Sequence, residues 1–188
     1  MNKKKISALL IATLVAINSV ASLTVVNVFA EGNTIEERAA LMEEEIPQSK
    51  MRASASSYEP SDSPQNAIDG NAATMWHTPW DGSTKLPQSL TLDLGGTNSV
   101  SSIKISPRTS GSNGIITKYE IYAIKNDSEV KIASGKWEEN NNSKSIILDE
   151  VVSADKIKIV ALEAVGNYAS IGEVKVYKST GEVEKMSS

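Results

Sequence analysis

The alternation of apolar and polar residues from Met51 onward limits the fold more than any other feature of the chain. Residues 90–94, 102–105 and 119–123 alternate with a period of two, which is the pattern of a strand with one buried face. Short apolar runs follow, separated by segments rich in glycine and asparagine; they lie at residues 130–133, 145–148, 156–160 and 173–177. The pattern predicts an all-β fold, an antiparallel jelly-roll β-sandwich of about eight strands.

The first 30 residues are typical of a secretory signal peptide. Three lysines at residues 3–5 precede an apolar run over residues 6–29, and Val28 and Ala30 provide short side chains at the −3 and −1 positions of a cleavage site. The run is long enough to serve as an uncleaved membrane anchor, but Asn18 and Asn27 dilute it and favour cleavage after Ala30. We therefore expect a secreted protein. It has no cysteine, so its stability must come from core burial or a metal ion rather than from disulfides.

Three further regions follow the signal peptide. Residues 31–50 are acidic, and Thr34 and Glu37 match a helix-capping pair. The apolar residues of this segment recur at helical spacing; they are Ile35, Ala39, Met42 and Ile46. This predicts one amphipathic helix, either a self-association or docking helix or, as we favour, a partly ordered spacer that ends at Pro47. Residues 51–178 are predicted to form one domain, and residues 179–188 a polar tail.

The charge pattern bears on the class of partner. The net charge is −4, and lysines are interspersed with acidic residues rather than gathered into a basic stripe. Binding to the phosphate backbone of a nucleic acid requires such a stripe, so we expect no nucleic-acid partner.

Several ordered motifs carry a family resemblance. They are SASS at residues 54–57, AIDGN at 67–71, TMWHT at 74–78, PQSLTLDLG at 87–95, ITKYEIY at 116–122 and ASIGEV at 169–174. Together they resemble the discoidin, or coagulation factor V/VIII type C, superfamily, and in particular its bacterial branch, the family 32 carbohydrate-binding modules. The resemblance covers residues 51–178 and implies a galactose-binding-domain-like sandwich that binds its ligand through loops at one end.

The Asp69-Gly70-Asn71 segment has two interpretations. It is either a simple turn, as Asp-Gly often is, or part of a site for Ca²⁺, which prefers oxygen ligands. The resemblance implies a structural calcium ion. Its ligands would be the carbonyls of Asn66, Asn71 and Gly172 and the side chains of Asp69, Thr74 and Glu173.

A sugar site needs an aromatic surface for the ring and a few fixed polar groups for the hydroxyls. The resemblance implies that His77 and Arg108 bind hydroxyls, that Trp80 and Tyr168 contact the ring, and that Asn113 supplies an amide. Two positions depart from the family pattern. The short spacing from Arg108 leaves Ser112 as an alternative to Asn113, and Tyr168 stands where phenylalanine is common. Trp76 and Trp137 are assigned to the core.

These residues predict a secreted, non-catalytic lectin-like module for terminal galactose or N-acetylgalactosamine-type sugars. The alternative is an adhesion module that docks on a protein or phospholipid surface. Membrane docking is less expected, because the loops at residues 109–114 and 166–168 are polar or small. An enzyme is not expected, since the chain has one histidine, no cysteine and no Gly-x-Ser-x-Gly motif. The chain would act alone or with separately encoded extracellular glycoside hydrolases.

Overall fold

A computed structural model describes residues 41–182. The predicted signal peptide and most of the predicted spacer lie outside this range, as do residues 183–188. The described part contains nine strands and three short 3₁₀ helices, and no α-helix. The strands are β1 (Leu41–Glu45), β2 (Arg52–Ala55), β3 (Trp76–His77), β4 (Gln88–Ser106), β5 (Ile116–Lys125), β6 (Ser128–Lys136), β7 (Lys144–Ala164), β8 (Ser170–Ile171) and β9 (Glu173–Glu182).

Two long antiparallel strands, β4 and β7, connect the two layers of the sandwich. Residues 88–93 of β4 pair with residues 156–161 of β7, and this half of the pair is flanked by β2 on one side and by β5 and β6 on the other. Residues 98–105 of β4 pair with residues 144–154 of β7, and here β9 and β1 complete the layer. The register shifts between Asp93 and Asn98. Bulges of this kind bend strands, so each long strand contributes to both layers.

The core lies between these layers and is filled by the apolar positions of the alternating runs. Leu90 and Leu92 come from one half of β4, and Ile103 and Ile105 come from the other; all four are at most 2% exposed. Of their polar neighbours in sequence, Lys104 is exposed and Thr91 and Asp93 are partly exposed, as a half-buried strand requires. Ser102 is an exception, at 8% exposed. Trp76 is completely buried, as predicted. Trp137 is half-buried against the core and stacks on Tyr119 with ring centroids 3.9 Å apart.

The all-β sandwich prediction is confirmed, but two of its predicted strand boundaries are wrong. The runs at residues 90–94 and 102–105 belong to the single strand β4, and those at 145–148 and 156–160 belong to β7. The segment between β2 and β4 contains a 3₁₀ helix at Pro64–Ile68 and the short strand β3. Strand β3 pairs with β8 to form a separate two-stranded sheet.

The predicted helix over residues 31–50 is wrong for its C-terminal part. Residues 41–45 form β1, which pairs with β9 at the edge of the sheet. Glu44 lies 3.2 Å from Lys178 and Glu45 lies 3.0 Å from Lys175 across this pair. The domain therefore begins before the predicted boundary at Met51. Its end is also later than predicted, because β9 runs to residue 182 through part of the predicted polar tail.

Within the described residues, no helix is long and apolar enough to cross a membrane.

Candidate functional site

His77 is held in a fixed orientation by the small sheet. Its backbone pairs with Ser170 of β8, and its side chain is fully buried. Nδ1 lies 2.5 Å from the carbonyl oxygen of Thr78. A carbonyl can only accept, so Nδ1 carries the hydrogen and Nε2 is left as a bare acceptor. Nε2 has no hydrogen-bond partner among the described residues. Burial lowers the pKa of His77, which favours this neutral form.

Trp80 lies directly over the imidazole of His77. The two rings are stacked with centroids 3.4 Å apart and an interplanar angle of 18°. The indole Nε1 donates to a carboxylate oxygen of Asp62 at 3.0 Å, and the Trp80 backbone N–H donates to a carboxylate oxygen of Glu59 at 3.2 Å. Trp80 is nevertheless 39% exposed. It therefore presents an aromatic surface to solvent in a position that two carboxylates and His77 define.

Arg108 reaches the same cluster from the loop after β4. Its guanidinium carbon lies 5.6 Å from the centre of the Trp80 ring, within the range of a cation–π contact. Nε donates to the carbonyl of Ser110 at 2.5 Å, and Nη1 donates to the carbonyl of Asn113 at 2.8 Å. The structure records no acceptor for Nη2 within residues 41–182. The guanidinium is thus fixed by its own loop and keeps donors for a ligand.

Asn113, from the same loop as Arg108, and Tyr168, from the loop before β8, complete the cluster. The tyrosine ring lies 5.4 Å from His77 and 5.8 Å from Trp80 between centroids, and its hydroxyl donates to the Trp80 carbonyl at 3.1 Å. Asn113 is exposed, and its side chain lies against Gly166, where an added Cβ would approach Oδ1 to 3.0 Å. The alternative residue, Ser112, accepts a backbone hydrogen bond from Ile115.

The structure therefore brings together the five residues predicted to bind sugar. The loop between β3 and β4 carries Trp80, the loop between β4 and β5 carries Arg108 and Asn113, and the loop before β8 carries Tyr168. These five residues combine aromatic faces, a fixed cation and a bare acceptor nitrogen. Such a set suits a neutral polyhydroxylated ring, whose C–H face packs on aromatics and whose hydroxyls both donate and accept.

The loop predicted to hold calcium is closed by its own hydrogen bonds. The Asp69 carboxylate accepts from the Asn71 backbone N–H and from the Thr74 hydroxyl, both at 2.8 Å, and Thr74 also donates to the Asn71 carbonyl at 2.7 Å. Glu173 is 7% exposed. Burial, with a smaller contribution from the nearby Asp69 carboxylate, raises the pKa of Glu173. Oxygen atoms thus dominate this loop.

One feature of this loop favours a hard cation, and another restricts which atoms could bind it. Glu173 Oε2 is buried without a hydrogen-bond partner among the described residues, and a buried unpaired carboxylate oxygen is costly unless a cation neutralises it. The part of the chain that the structure describes contains no cluster of three or more His, Cys, Asp or Glu side chains that could hold a metal. A cation here would therefore need carbonyl and hydroxyl oxygens in addition to Asp69 and Glu173.

Sequence reasoning missed the residues that hold the site in place. Glu59 and Asp62 fix Trp80, and Asn141 donates to the carbonyls of Arg108 and Gly111 at 2.7 and 3.1 Å. Gln48 donates to the Glu173 carboxylate. No local pattern marks these four residues, because each meets its partner only through the tertiary fold.

The family comparison decides the classification. The F5/8 type C domain pattern matches residues 52–174. The chain belongs to the F5/8 type C domain family. Among solved structures of this family's fold, the family 32 carbohydrate-binding module of NanJ from Clostridium perfringens, in complex with galactose, is 56% identical. That comparison has a TM-score of 0.71 and covers 72% of this chain and 99% of the module.

Two other relatives extend the family comparison. A second Clostridium perfringens module of family 32, in complex with GalNAc-beta-1,3-galactose, is 36% identical with a TM-score of 0.68, covering 71% of this chain and 99% of the module. The "A type blood N-acetyl-alpha-D-galactosamine deacetylase" of Flavonifractor plautii is 36% identical over 70% of this chain, but the chain spans only 18% of that enzyme. The chain thus has the fold and sequence signature of a family 32 carbohydrate-binding module.

Proposed function

We propose that this chain binds terminal galactose or N-acetylgalactosamine-type sugars and does not transform them. The observation that carries the proposal is the clustering of His77 of β3 with Trp80, Arg108, Asn113 and Tyr168, which come from three loops. The similar modules of Clostridium perfringens are bound to galactose and to a GalNAc-containing disaccharide, which supports the same class of sugar for this chain.

Each residue has a role that its geometry supports. Trp80 and Tyr168 offer aromatic faces for the apolar side of the sugar ring. The Arg108 guanidinium donates to hydroxyl oxygens through the N–H groups that its own loop leaves unused, and Asn113 supplies an amide beside it. His77 Nε2 accepts a hydrogen bond from a sugar hydroxyl, because the Thr78 carbonyl fixes the hydrogen on Nδ1.

The expected affinity sets the biological context. One ring with a few hydrogen bonds gives dissociation constants in the millimolar to micromolar range, roughly −4 to −8 kcal/mol. Retention on a glycan surface then requires several copies or tethering to a partner. We propose export through the N-terminal segment and action on extracellular glycans, alone or beside glycoside hydrolases. A family 89 glycoside hydrolase of Clostridium perfringens contains a region of similar fold, 26% identical over 77% of this chain.

We also propose that the loop at residues 69–74 holds a structural Ca²⁺ ion. The ion would neutralise the buried carboxylate of Glu173 together with Asp69 and would take further oxygens from Thr74 and the carbonyls of Asn66, Asn71 and Gly172. The orphaned Oε2 of Glu173 supports this assignment. Bound there, the ion would tie the loop that carries His77 and Trp80 to the start of β9.

The sugar site is tested by comparing Arg108→Ala with Arg52→Ala on a glycan array and by calorimetric titration with galactose. Arg52 is an exposed arginine of β2, away from the cluster, and is the matched control. We expect Arg108→Ala to weaken binding by about 10- to 100-fold, because hydrogen bonds from a charged donor contribute about 1.5–3 kcal/mol. Arg52→Ala should bind like the wild type. Equal binding by both variants would show that the site lies elsewhere.

A further inference from the structure

The N-terminal segment at residues 41–50 lies outside the residues that match the family pattern, yet it is built into the domain. Ile46 is 2% exposed, and its backbone N–H donates to Val176 of β9 at 2.9 Å. The two Glu–Lys pairs between β1 and β9 add to this attachment. On the other side, an added Cβ at Gly95 would lie 2.5 Å from the Lys50 carbonyl oxygen. The segment between Ile46 and Lys50 is therefore fixed at both ends.

This fixed segment places Gln48 next to the predicted calcium loop. Its side-chain Nε2 donates to Glu173 Oε1 and, at 2.9 Å, to the carbonyl of Val174. Its Oε1 faces Gly70, where an added Cβ would lie 3.8 Å away. One amide group thus bonds to the start of β9 and lies near the turn after Asp69, the two parts of the chain that would surround the ion.

We propose that Gln48 is a positioning residue for the cation loop, and this inference rests on the calcium ion proposed above. By donating to Oε1 of Glu173, Gln48 fixes the carboxylate in the orientation that leaves Oε2 unpartnered. It does so as a neutral group, so it adds no charge that would compete with the ion for the carboxylate. The second hydrogen bond, to Val174, holds the amide itself in place.

The physical consequence concerns cation affinity more than stability. Removal of a group that orients a metal ligand typically lowers metal affinity by 10- to 100-fold. Without the Gln48 donor, the Glu173 carboxylate can rotate away from Asp69. The cost of reordering it then reduces the free energy of ion binding. The segment at residues 41–50 would then couple the beginning of the domain to the loop that carries His77 and Trp80.

The test is calorimetric titration of Ca²⁺ into protein freed of divalent cations by a chelator, with wild type, Gln48→Met and Gln88→Met. Methionine keeps the length of the side chain and removes the amide. Gln88 is the matched control, because its amide also makes several hydrogen bonds, to Ser56, Ser57 and the Lys85 carbonyl. We expect Gln48→Met to weaken Ca²⁺ binding by about 10- to 100-fold. Gln88→Met should bind Ca²⁺ as the wild type does.

A melting experiment separates positioning from a merely structural role. Both substitutions should lower the melting temperature of the chelated protein, but only Gln48→Met should also reduce the rise that Ca²⁺ produces. Gln48→Asn, which keeps the amide but shortens its reach, should weaken Ca²⁺ binding in the same direction and covers the case in which Gln48→Met does not fold. Wild-type Ca²⁺ affinity in the folded Gln48 variants overturns the inference. A wild-type protein that binds no Ca²⁺ overturns the calcium proposal and this inference with it, while leaving the sugar site intact.

Discussion

One backbone contact sets which ring nitrogen carries the hydrogen in His77, the histidine of the proposed sugar site. The Thr78 carbonyl holds the hydrogen of His77 on Nδ1, so Nε2 can only accept. Protonation would turn Nε2 into a donor and remove the acceptor that a sugar hydroxyl needs. The Arg108 guanidinium also opposes a positive charge on His77, whereas Asp62 favours it; burial is the largest effect and lowers the pKa.

This chemistry predicts a pH dependence of sugar binding. Because the pKa of His77 is lowered, galactose affinity should stay constant from neutral pH down to at least the ordinary histidine value of about 6.5. It should fall at lower pH as the imidazole becomes protonated. The same shift acts on stability: the unfolded chain takes up the proton first, so stability should decline as pH falls below about 6.5. Galactose titrations and thermal melts across this range measure both effects.

The matched variant for this prediction is His77→Gln. Its amide oxygen can still accept from a hydroxyl, and it does not titrate in this range, so any remaining galactose binding should lose the acid-dependent fall. An affinity that increases on acidification in the wild type would contradict the assignment of Nε2 as the acceptor.

At the level of elements, β1 shows how tertiary pairing overrides a local pattern. Met42 and Ile46 have the spacing of a helix face, but residues 41–45 gain backbone partners and two ion pairs from β9. Exposed ion pairs contribute little individually. Burial of Ile46 contributes more, at about 1.5–3 kcal/mol for a fully buried apolar side chain.

We therefore expect Ile46→Ala to reduce the free energy of unfolding by about 2–4 kcal/mol. Ile147→Ala is the matched control, because Ile147 lies in β7 but is 48% exposed, and its effect should be under about 1 kcal/mol. Denaturant unfolding of the two variants measures both values. A small effect at Ile46 would mean that the segment before Met51 is a dispensable spacer after all.

The elements also show what the sequence can and cannot predict. Strict alternation at Leu90, Leu92 and Leu94 predicts a strand with one buried face, because burial of alternate residues leaves a local signature. The same pattern does not reveal that β4 continues through a bulge into the second layer, since that depends on β7 as a partner. The residues proposed to bind sugar were chosen through the family motifs, and the fold brings them together. Glu59, Asp62 and Gln48 act instead through contacts with distant residues that leave no local pattern.

At the level of the whole molecule, the two candidate sites share the same pieces of chain. The segment between Asp69 and Trp80 carries the predicted calcium loop and two residues proposed to bind sugar. The segment between Tyr168 and Glu173 carries one residue proposed to bind sugar and two proposed ion ligands. This second segment is tightly constrained, because an added Cβ at Gly172 would lie 2.8 Å from the Pro107 carbonyl oxygen. An ion between Asp69 and Glu173 would therefore restrict the motion of the loops proposed to bind sugar.

This arrangement predicts that Ca²⁺ stabilises the fold through Glu173. At about 100 times its dissociation constant, Ca²⁺ should add about 2.7 kcal/mol, which for a domain of this size raises the melting temperature by roughly 5–10 °C. Glu173→Gln should abolish this rise, because the neutral amide no longer supplies the charge that attracts the ion. Differential scanning calorimetry with Ca²⁺ or a chelator provides the measurement. A rise of the same size in Glu173→Gln would place the ion elsewhere.

The burial of His77 has a consequence for how binding energy is measured. Nε2 is buried without a partner among the described residues, so a sugar hydroxyl can reach this nitrogen only after a neighbouring group has moved aside. The observed affinity is then the intrinsic affinity reduced by the fraction of molecules in which Nε2 is accessible.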